Sequence, residues 1–360
     1  MKVHEKFMKK CLNLALKGLK KTHTNPLVGC VIVHKDVIIS EGYHKKYGDH
    51  HAEVNAINKV ENKKILAQST LYVNLEPCSH YGKTPPCLDL IVKNKIKTIV
   101  IGTQDPFTKV NGHSIKKLKK TAHVITGILT KECIEINKKY FINQYFKRPL
   151  IILKWAQSKD GFINDFTPGI TKISSEKSHI LTHKWRSEID SIMVGTNTIL
   201  NDNPQLTTRK VKGDNPIRIT IDRKNTIKGK KWHILNTTSK TIILNTKTNK
   251  TIKNIQYLNI QPLIDCSQSN DKIILMNIME LLYKKGITSI LIEGGNTILQ
   301  HCIDIDLWDE IKYFTSPKYL YNGINAPRIK TQAHENKKIE EDTLSIIYNK
   351  NIHNKLEQSF

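Results

Sequence analysis

The sequence predicts an α/β protein of two domains, and three features of the chain support this. Its 360 residues correspond to about two domains at roughly 150 residues per domain. Hydrophobic residues make up 39% of the chain, which is enough for packed cores and argues against a disordered protein. Short β-branched segments alternate with helical segments in both halves, as they do in domains built on a largely parallel sheet.

The first half contains a regular series of strand and helix patterns. Met8, Leu12, Ala15 and Leu19 recur at helical spacing and predict an amphipathic first helix. A β-branched run follows and is interrupted by turn-like residues at 34–36. This alternation predicts a three-layer α/β domain with a largely parallel sheet. Strands are expected at 28–40, 69–75, 98–103 and 121–126, and helices at 51–60, 88–95 and 130–146.

The second half repeats the alternation after a boundary at 147–149, where Pro149 favours the end of a helix. The predicted domains are therefore 1–147 and 148–360. Residues 224–272 are rich in Thr, Asn and Lys, and we expect edge strands and loops there. Strands are expected at 150–155, 191–195, 217–222, 240–245 and 289–293, and a helix from Thr297.

The charge of the chain is strongly positive, with a formal net charge of +25. Residues 1–150 contain 27 basic and 11 acidic groups and residues 151–360 contain 30 and 21, so the excess is not a single basic tail. A nucleic acid or a phosphorylated ligand would explain such an excess. A composition rich in Lys, Ile and Asn throughout would also produce it, and both explanations stay open at this point.

The sequence argues against membrane-bound and exported proteins. It has no run of about 18 apolar residues that would predict a transmembrane helix. Asn13, Lys17 and Lys20 interrupt the apolar stretch near the N-terminus, so we expect no signal peptide. The seven cysteines are an odd number, and without an export signal they are expected to be reduced. We therefore expect a cytoplasmic protein that does not bind membranes.

Three separated segments predict a zinc site. They are His51-Ala52-Glu53, Pro77-Cys78 and Pro86-Cys87. One imidazole and two thiolates form a ligand set that leaves the fourth zinc position open for water, whose pKa the metal lowers. Glu53 lies two residues from His51, so the two side chains diverge on a helix, which suits Glu53 for proton transfer. Any one of these segments is common by chance, and buried free cysteines are ordinary.

The spacing of these segments resembles that of the zinc nucleobase deaminases, with a longer loop between the cysteines. The loop Pro-Cys-Ser-His-Tyr-Gly-Lys-Thr-Pro-Pro-Cys at 77–87 is similar to the deaminase half of the bifunctional riboflavin-biosynthesis deaminase/reductases. Residues 25–29, 41–44, 51–54 and 102–106 extend the resemblance. It implies a cytidine-deaminase-like fold with one zinc on His51, Cys78 and Cys87, and Glu53 as proton shuttle. It also implies substrate contacts by Asn25, His44, Lys83 and Asp105. Phe107 departs from the Asn that many relatives have.

The second half resembles the reductase half of the same family. It has no Gly-x-Gly-x-x-Gly fingerprint, but segments 153–161, 185–187, 194–209, 218–222 and 291–295 match in order. The Gly294-Gly295 pair before a helix would let the backbone approach a phosphate closely. The resemblance implies a dihydrofolate-reductase-like fold that uses NADPH. Lys172 stands where relatives often have Trp, so a nicotinamide contact there is not carried over.

The resemblance also assigns residues to the two ligands of the reductase. Arginine suits bidentate phosphate binding, which supports the assignment of Arg186 and Arg209. The implied substrate contacts are Lys154, Arg186, Leu206, Arg209 and Glu293. The implied NADPH contacts are Ala156, Thr198, Asp202, Gly295, Asn296, Thr297, Ile298, Leu299, Gln300 and His301.

The resemblance spans nearly the whole chain and implies a bifunctional enzyme of riboflavin synthesis. Its substrate would be a phosphorylated ribosylaminopyrimidine, with no nucleic-acid or membrane partner, and a homo-oligomer is an open alternative to a monomer. The main competing hypothesis is a nucleic-acid deaminase with a basic RNA-binding second domain, which the +25 charge favours. A non-catalytic binding protein is a third hypothesis, which the intact zinc segments argue against.

Overall fold

The computed structural model describes residues 2–82, 84–167, 171–229, 232–267 and 270–358. The chain divides into two compact units, Met1–Lys147 with Asn354–Phe360, and Arg148–His353. Residues 354–358 thus group with the first unit, whereas the predicted second domain included them. Among the described residues, none of the helices has the length and apolarity needed to cross a membrane.

The first unit alternates helices and strands. Its elements are α1 (Lys2–Ala15), β1 (Gly29–His34), β2 (Val37–Tyr43), α2 (Ala52–Lys59), β3 (Thr70–Leu75), α3 (Cys87–Lys93), β4 (Thr98–Thr103), α4 (His113–Leu118), β5 (His123–Thr126), α5 (Thr130–Ile136) and α6 (Lys138–Phe146). Short 3-10 helices lie at Leu16–Gly18 and Lys63–Gln68. The helix predicted over 130–146 is therefore two helices. Leu19 lies beyond α1 and is 56% exposed, so it does not extend the apolar face.

The sheet of the first unit is mixed, in the order β2-β1-β3-β4-β5. β3, β4 and β5 are parallel, whereas β1 is antiparallel to both β2 and β3. The expectation of a largely parallel sheet is therefore wrong for β1 and β2. Lys35 and Asp36 both have positive φ, 47° and 60°, as in the two-residue turns that join antiparallel strands in hairpins.

The two faces of this sheet bury different clusters, which makes the unit three-layered. Ile32 and Leu71 pack on the face covered by α2 and α3. Val31 and Tyr72 pack on the opposite face against α1 and α5. Neighbouring residues of one strand thus serve opposite layers, as the alternation of side chains along a strand requires.

The second unit begins with a long buried strand. Its elements are β6 (Leu150–Gln157), β7 (Phe162–Asn164), α7 (Glu176–Arg186), β8 (Ser191–Gly195), α8 (Thr196–Asp202), β9 (Ile217–Ile221), β10 (Thr241–Asn245), β11 (Lys250–Ile252), β12 (Ile255–Asn259), α9 (Gln261–Cys266), α10 (Asp271–Lys284), β13 (Ser289–Gly294), α11 (Asn296–Asp304), β14 (Glu310–Thr315), β15 (Ile324–Asn325), β16 (Glu335–Ile339) and β17 (Asp342–Tyr348). The helix α12 (Lys350–Gln358) begins in this unit and ends in the first. A 3-10 helix lies at His233–Leu235.

The main sheet of this unit has the order β11-β12-β10-β9-β8-β13-β6-β14-β17-β16. Within the run from β12 to β14 in that order, each pair of adjacent strands is parallel, whereas β11 and β17 pair antiparallel with the two ends of the run. The carboxyl ends of β6, β13, β8 and β9 therefore lie along one edge, where ligands of open α/β sheets bind. One face packs against α9, α10 and α11, and the other packs against α7.

Candidate active sites

Three potential metal ligands meet in the first unit. His51 lies at the N-terminus of α2, Cys78 follows β3, and Cys87 begins α3. Their ligand atoms all lie within 4.8 Å of one another. Nδ1 of His51 lies 3.4 Å from Sγ of Cys78 and 3.3 Å from Sγ of Cys87. Tetrahedral zinc with ordinary Zn–N and Zn–S bonds would separate such atoms by about 3.5 Å, so this donor set fits zinc.

The two thiols differ in their electrostatic environment. The hydrogen bond with Cys87 and the nearby His51 imidazole lower the pKa of the Cys78 thiol to about 4, although burial opposes them. The backbone N–H of Cys87 also donates to Cys78 Sγ at 3.3 Å. The pKa of the Cys87 thiol is raised by the same thiol pair and by burial. The pair therefore holds one thiolate, and a bound divalent cation would favour the thiolate at both sulfurs.

Glu53 lies in the first turn of α2 and is only 3% exposed. Burial raises the pKa of its carboxyl above the ordinary value, against the opposing effect of His51. Glu53 and His51 both line a cavity of about 320 Å³ beside the cysteines. A buried carboxyl with a raised pKa, directly beside a candidate metal, is suited to accepting and returning a proton.

The predicted substrate contacts Asn25, His44 and Asp105 line the same cavity. Nδ1 of His44 lies 3.2 Å from the His50 carbonyl oxygen, to which it donates, so Nε2 accepts from the Asn25 amide at 3.1 Å. Burial lowers the pKa of His44, which favours this neutral form. Lys83, the fourth predicted contact, falls outside the described residues.

Asp105 is buried in the loop that follows β4. Its Oδ1 accepts from the Phe107 N–H at 2.8 Å and from the Tyr140 hydroxyl at 2.9 Å. Burial raises the pKa of Asp105 to about 7. Tyr140 also lines the cavity, and the sequence analysis did not identify it because it lies 35 residues from its partner.

Glu76 is a second residue that the sequence analysis missed. Its two carboxylate oxygens accept from the backbone N–H groups of Asp105, Gly112, Ser114 and Ile115 at 2.8–3.2 Å. It thereby fixes the loop that carries Asp105. Its place directly before Pro77-Cys78 was the signal that could have drawn attention to it.

Phe107, the departure from the family pattern, also lies at this cavity. Its ring meets the ring of His80 edge to face, with centroids 5.2 Å apart. The position thus supplies an aromatic wall in place of a polar group.

A second cluster of charged side chains lies at the edge of the parallel sheet in the second unit. Arg186, at the end of α7, donates to both carboxylate oxygens of Glu293 at 2.7 and 2.6 Å. Burial would raise the pKa of Glu293, but the Arg186 guanidinium and Lys154 hold it at about 2. Burial lowers the pKa of Lys154 on β6. The cluster therefore combines a fixed ion pair with a second, buried cation.

Arg209 lies beside this cluster and is oriented by two contacts. Its Nη1 donates to Thr207 Oγ1 at 2.8 Å, and its backbone N–H donates to Nδ1 of His183 at 3.0 Å. Burial, with Arg186 and Arg209 nearby, lowers the pKa of His183 to about 4. No motif in the sequence predicted a role for His183, although it lies three residues before Arg186 on the same helix. Leu206, another predicted substrate contact, is 3% exposed, and its side chain is buried in an apolar cluster.

A cavity of about 700 Å³ lies at the ends of β8, β9 and β13. Five predicted NADPH contacts line it: Thr198, Gly295, Thr297, Ile298 and His301. Asp202, Asn296, Leu299 and Gln300 lie on the same two helices, α8 and α11, and Ala156 lies on β6, but these five are not among its lining residues.

The geometry at the start of α11 fits a dinucleotide. A Cβ at Gly295 would lie 3.2 Å from Thr198 Oγ1, which is a tight contact. A ligand can therefore approach the backbone closely here because residue 295 has no side chain. Oδ1 of Asn296 is buried and has no hydrogen-bond partner among the described residues. An amide or hydroxyl donor of a cofactor would satisfy this atom. Lys172 is exposed and supplies no ring to the cavity.

Comparison with known proteins finds a matching protein family for each half of the chain. Residues 1–103 match the cytidine and deoxycytidylate deaminase zinc-binding region, and residues 149–345 match the RibD C-terminal domain. These matches confirm the predicted deaminase-like and reductase-like folds. The match to the zinc-binding region contains His51, Cys78 and Cys87.

The chain is also similar to full-length proteins. It is 35% identical to the riboflavin biosynthesis protein RibD of Aquifex aeolicus, over 90% of this chain and 89% of that protein. It is 36% identical to RibD of Buchnera aphidicola subsp. Baizongia pistaciae, over 88% and 87%. The crystal structure of a diaminohydroxyphosphoribosylaminopyrimidine deaminase/5-amino-6-(5-phosphoribosylamino)uracil reductase from Thermotoga maritima superimposes with a TM-score of 0.82 at 32% identity, covering 96% of this chain and 99% of that one. The chain therefore belongs to the RibD family of bifunctional deaminase–reductases of riboflavin biosynthesis.

Proposed function

We propose that the chain catalyses two successive steps on one phosphorylated pyrimidine. The first domain, 1–147, would deaminate 2,5-diamino-6-ribosylamino-4(3H)-pyrimidinone 5′-phosphate by hydrolysis. The second domain, 148–360, would reduce the ribosyl side chain of the product to ribityl and give 5-amino-6-ribitylaminouracil 5′-phosphate. The description of the Thermotoga maritima relative, which names both activities, supports this substrate. The observation that carries the proposal is the convergence of His51, Cys78 and Cys87 at zinc-ligand spacing beside the buried Glu53.

In the deaminase, His51, Cys78 and Cys87 hold the metal. When bound by these three residues, zinc would lower the pKa of a water and so supply the nucleophile for the amine-bearing ring carbon. The Glu53 carboxylate accepts a proton from that water and returns it to the amine nitrogen, which then leaves as ammonia. Its burial supports this role, because a raised pKa brings the carboxyl closer to neutrality, where proton transfer in both directions is efficient.

The cavity residues orient the pyrimidine in this proposal. The Asn25 amide donates a hydrogen bond to the neutral His44, and this contact fixes the orientation of both side chains. Asp105 has a pKa of about 7, so it can donate a hydrogen bond to the ring when protonated and accept one from the ring when ionised. Lys83 is assigned to the substrate on the family resemblance alone.

In the reductase, bound NADPH would supply the hydride for the opened ribose C1. Gly295 and the start of α11, with Thr198, would hold its phosphates, and Asn296 Oδ1 would accept a hydrogen bond from it. The family resemblance assigns further contacts with NADPH to Ala156, Asp202, Thr297, Ile298, Leu299, Gln300 and His301.

The charges of the second cluster match the substrate phosphate. Lys154, Arg186 and Arg209 are three cations beside one carboxylate, Glu293, so the cluster has an excess of two positive charges. A phosphate monoester carries nearly two negative charges at neutral pH. Glu293 holds Arg186 in one orientation, which lowers the ordering cost of binding. Leu206 contributes its backbone.

The proposed partner is this small molecule alone, without nucleic acid or membrane, in the cytoplasm, where thiols stay reduced. Assembly into a homo-oligomer stays open. Most of the +25 charge is then compositional. Tight, salt-sensitive binding of tRNA in a filter assay would instead favour the nucleic-acid deaminase.

A coupled assay tests the proposal. The purified chain is given the phosphorylated diaminopyrimidine and NADPH, and ammonia and NADPH are measured separately. We expect ammonia first, and NADPH oxidation only as the deaminated intermediate forms. NADPH oxidation without ammonia release, or neither signal, would contradict the proposed reaction order.

A further inference from the structure

Helix α6 forms one wall of the deaminase cavity, although the proposed reaction assigns it no role. Tyr140 and Gln144 lie one turn apart on this helix, so their side chains share one face. Both line the cavity of about 320 Å³ that also contains Glu53. The Tyr140 hydroxyl reaches a residue assigned to the substrate, since it donates to Oδ1 of Asp105 at 2.9 Å.

The position of α6 is fixed from two sides. Asn137, directly before the helix, accepts from the Leu27 N–H at 2.7 Å, and its amide donates to the Leu27 carbonyl oxygen at 2.9 Å. Leu27 follows Asn25, another residue assigned to the substrate, by two positions. Phe141 and Ile142 of α6 are fully buried. The helix is therefore anchored to the core of the unit, and the Tyr140 hydroxyl lies at a defined place in the cavity wall.

The two carboxyl oxygens of Asp105 have different environments. Oδ1 accepts from both the Tyr140 hydroxyl and the Phe107 N–H. Oδ2 has no hydrogen-bond partner among the residues that the structure describes, although Asp105 is only 6% exposed. Because Asp105 lines the cavity, a ligand there can supply the missing partner.

Oδ2 is the contacting atom in either protonation state of Asp105. The ionised carboxyl accepts from an N–H group of a ligand through Oδ2. In the neutral carboxyl the proton lies on Oδ2, because Oδ1 already accepts two hydrogen bonds from fixed donors, and Oδ2 then donates to a carbonyl oxygen. Without the Tyr140 hydroxyl, the Phe107 N–H alone would hold Oδ1, and the carboxyl could rotate about its terminal bond.

We propose that Tyr140 is a positioning residue of the deaminase. Its hydroxyl fixes the Asp105 carboxyl so that Oδ2 meets a polar group of the pyrimidine ring, and this fixed contact increases the affinity for the substrate. Tyr140 acts through Asp105 and not on the reacting atoms. The inference rests on the proposed deaminase function, and it adds α6 to the elements that recognise the substrate.

Ammonia release from the phosphorylated diaminopyrimidine, measured with the full chain loaded with zinc, tests this role. Tyr140→Phe removes the hydroxyl alone. We expect KM to rise about 5- to 20-fold and kcat to change less than about 2-fold, because a contact made equally in the ground state and the transition state affects KM alone. Tyr145→Phe, the same change at an exposed tyrosine of α6, is the matched control and should leave both constants unchanged.

A double-mutant cycle with Asp105→Ala separates positioning from a structural role. In the Asp105→Ala background, Tyr140→Phe should change KM less than about 2-fold, since no carboxyl remains to be oriented. A Tyr140 that shapes the cavity or contacts the substrate directly would keep its effect without Asp105, and this result would overturn the proposal. Loss of zinc, an unchanged KM, or a lower kcat at unchanged KM in Tyr140→Phe would overturn it as well.

The substrate without its 5′-phosphate shows which part of the ligand Asp105 meets. Tyr140→Phe should raise KM by the same factor for the phosphorylated and the dephosphorylated substrate, because the proposed contact is with the ring. A factor that disappears together with the phosphate would contradict the assignment. If the unaltered chain releases no ammonia, the proposed deaminase function itself fails, whereas ammonia release with an unchanged KM in Tyr140→Phe refutes only the role of Tyr140.

Discussion

The ion pair of Arg186 and Glu293 should be a major contributor to the stability of the second unit. Both side chains are largely buried, and the guanidinium donates to both carboxylate oxygens. Glu293→Gln keeps the size of the side chain but leaves the Arg186 charge without its counter-ion. Removing one partner of a buried pair is strongly destabilising because the other charge remains desolvated.

The size of the effect follows from the pKa of Glu293, which is about 2 where an ordinary Glu has 4.5. At 1.36 kcal/mol per pKa unit, this difference corresponds to about 3 kcal/mol of stability. Because the folded-state pKa is lowered, the contribution is complete above about pH 5 and is lost as the pH falls toward 2. We therefore expect Glu293→Gln to cost about 3 kcal/mol at pH 7 and much less near pH 2.

Urea unfolding followed by tryptophan fluorescence measures this directly. All four tryptophans, Trp155, Trp185, Trp232 and Trp308, belong to the second unit, so the signal reports its unfolding. Glu280→Gln, which breaks an exposed ion pair, is the control and should cost less than about 0.5 kcal/mol. A loss below about 1 kcal/mol for Glu293→Gln, or a loss that does not change with pH, would refute the reasoning.

Three further results are expected. The double variant Cys78→Ala/Cys87→Ala should lose the single zinc per chain in metal analysis, whereas Cys302→Ala should keep it; retained zinc in the double variant would disprove the ligand assignment. Arg218→Met should cost about 3 kcal/mol in urea unfolding, since this fully buried guanidinium saturates several buried oxygens, and a loss under about 1 kcal/mol would contradict this. Asp105→Asn should become more stable relative to the unaltered chain as the pH rises from 4 to 7, because the folded carboxyl keeps its proton to about pH 7 while the unfolded one has lost it. A difference that stays constant with pH in calorimetry would show that Asp105 is ionised when folded.

The strands were predictable where their residues are apolar and β-branched. Thr98–Thr103 and Ser191–Gly195 coincide with the predicted ranges because both segments are buried on both faces and have no competing helical pattern. The helix Asp271–Lys284 was not predicted, because its nearly continuous apolar run has no clear period of either kind. The exposed strand Glu335–Ile339 is too polar to show a strand pattern.

The candidate sites were predictable only as far as local motifs reach. His51, Cys78 and Cys87 stand in motifs whose chemistry is specific, and the fold brings them together. Glu76 and His183 act through partners more than 25 residues away in sequence. Such contacts depend on the packing of distant elements, and no pattern in a single sequence specifies them.

The separation of the two chemistries is tested most directly by one variant in the coupled assay. Glu53→Gln should retain one zinc per chain and lose ammonia release by about 10²-fold or more, the usual contribution of a general acid–base group. Given the deaminated intermediate, the same variant should oxidise NADPH at nearly the unaltered rate. Near-normal ammonia release, or NADPH oxidation that fails together with deamination, would contradict the account of two independent active sites.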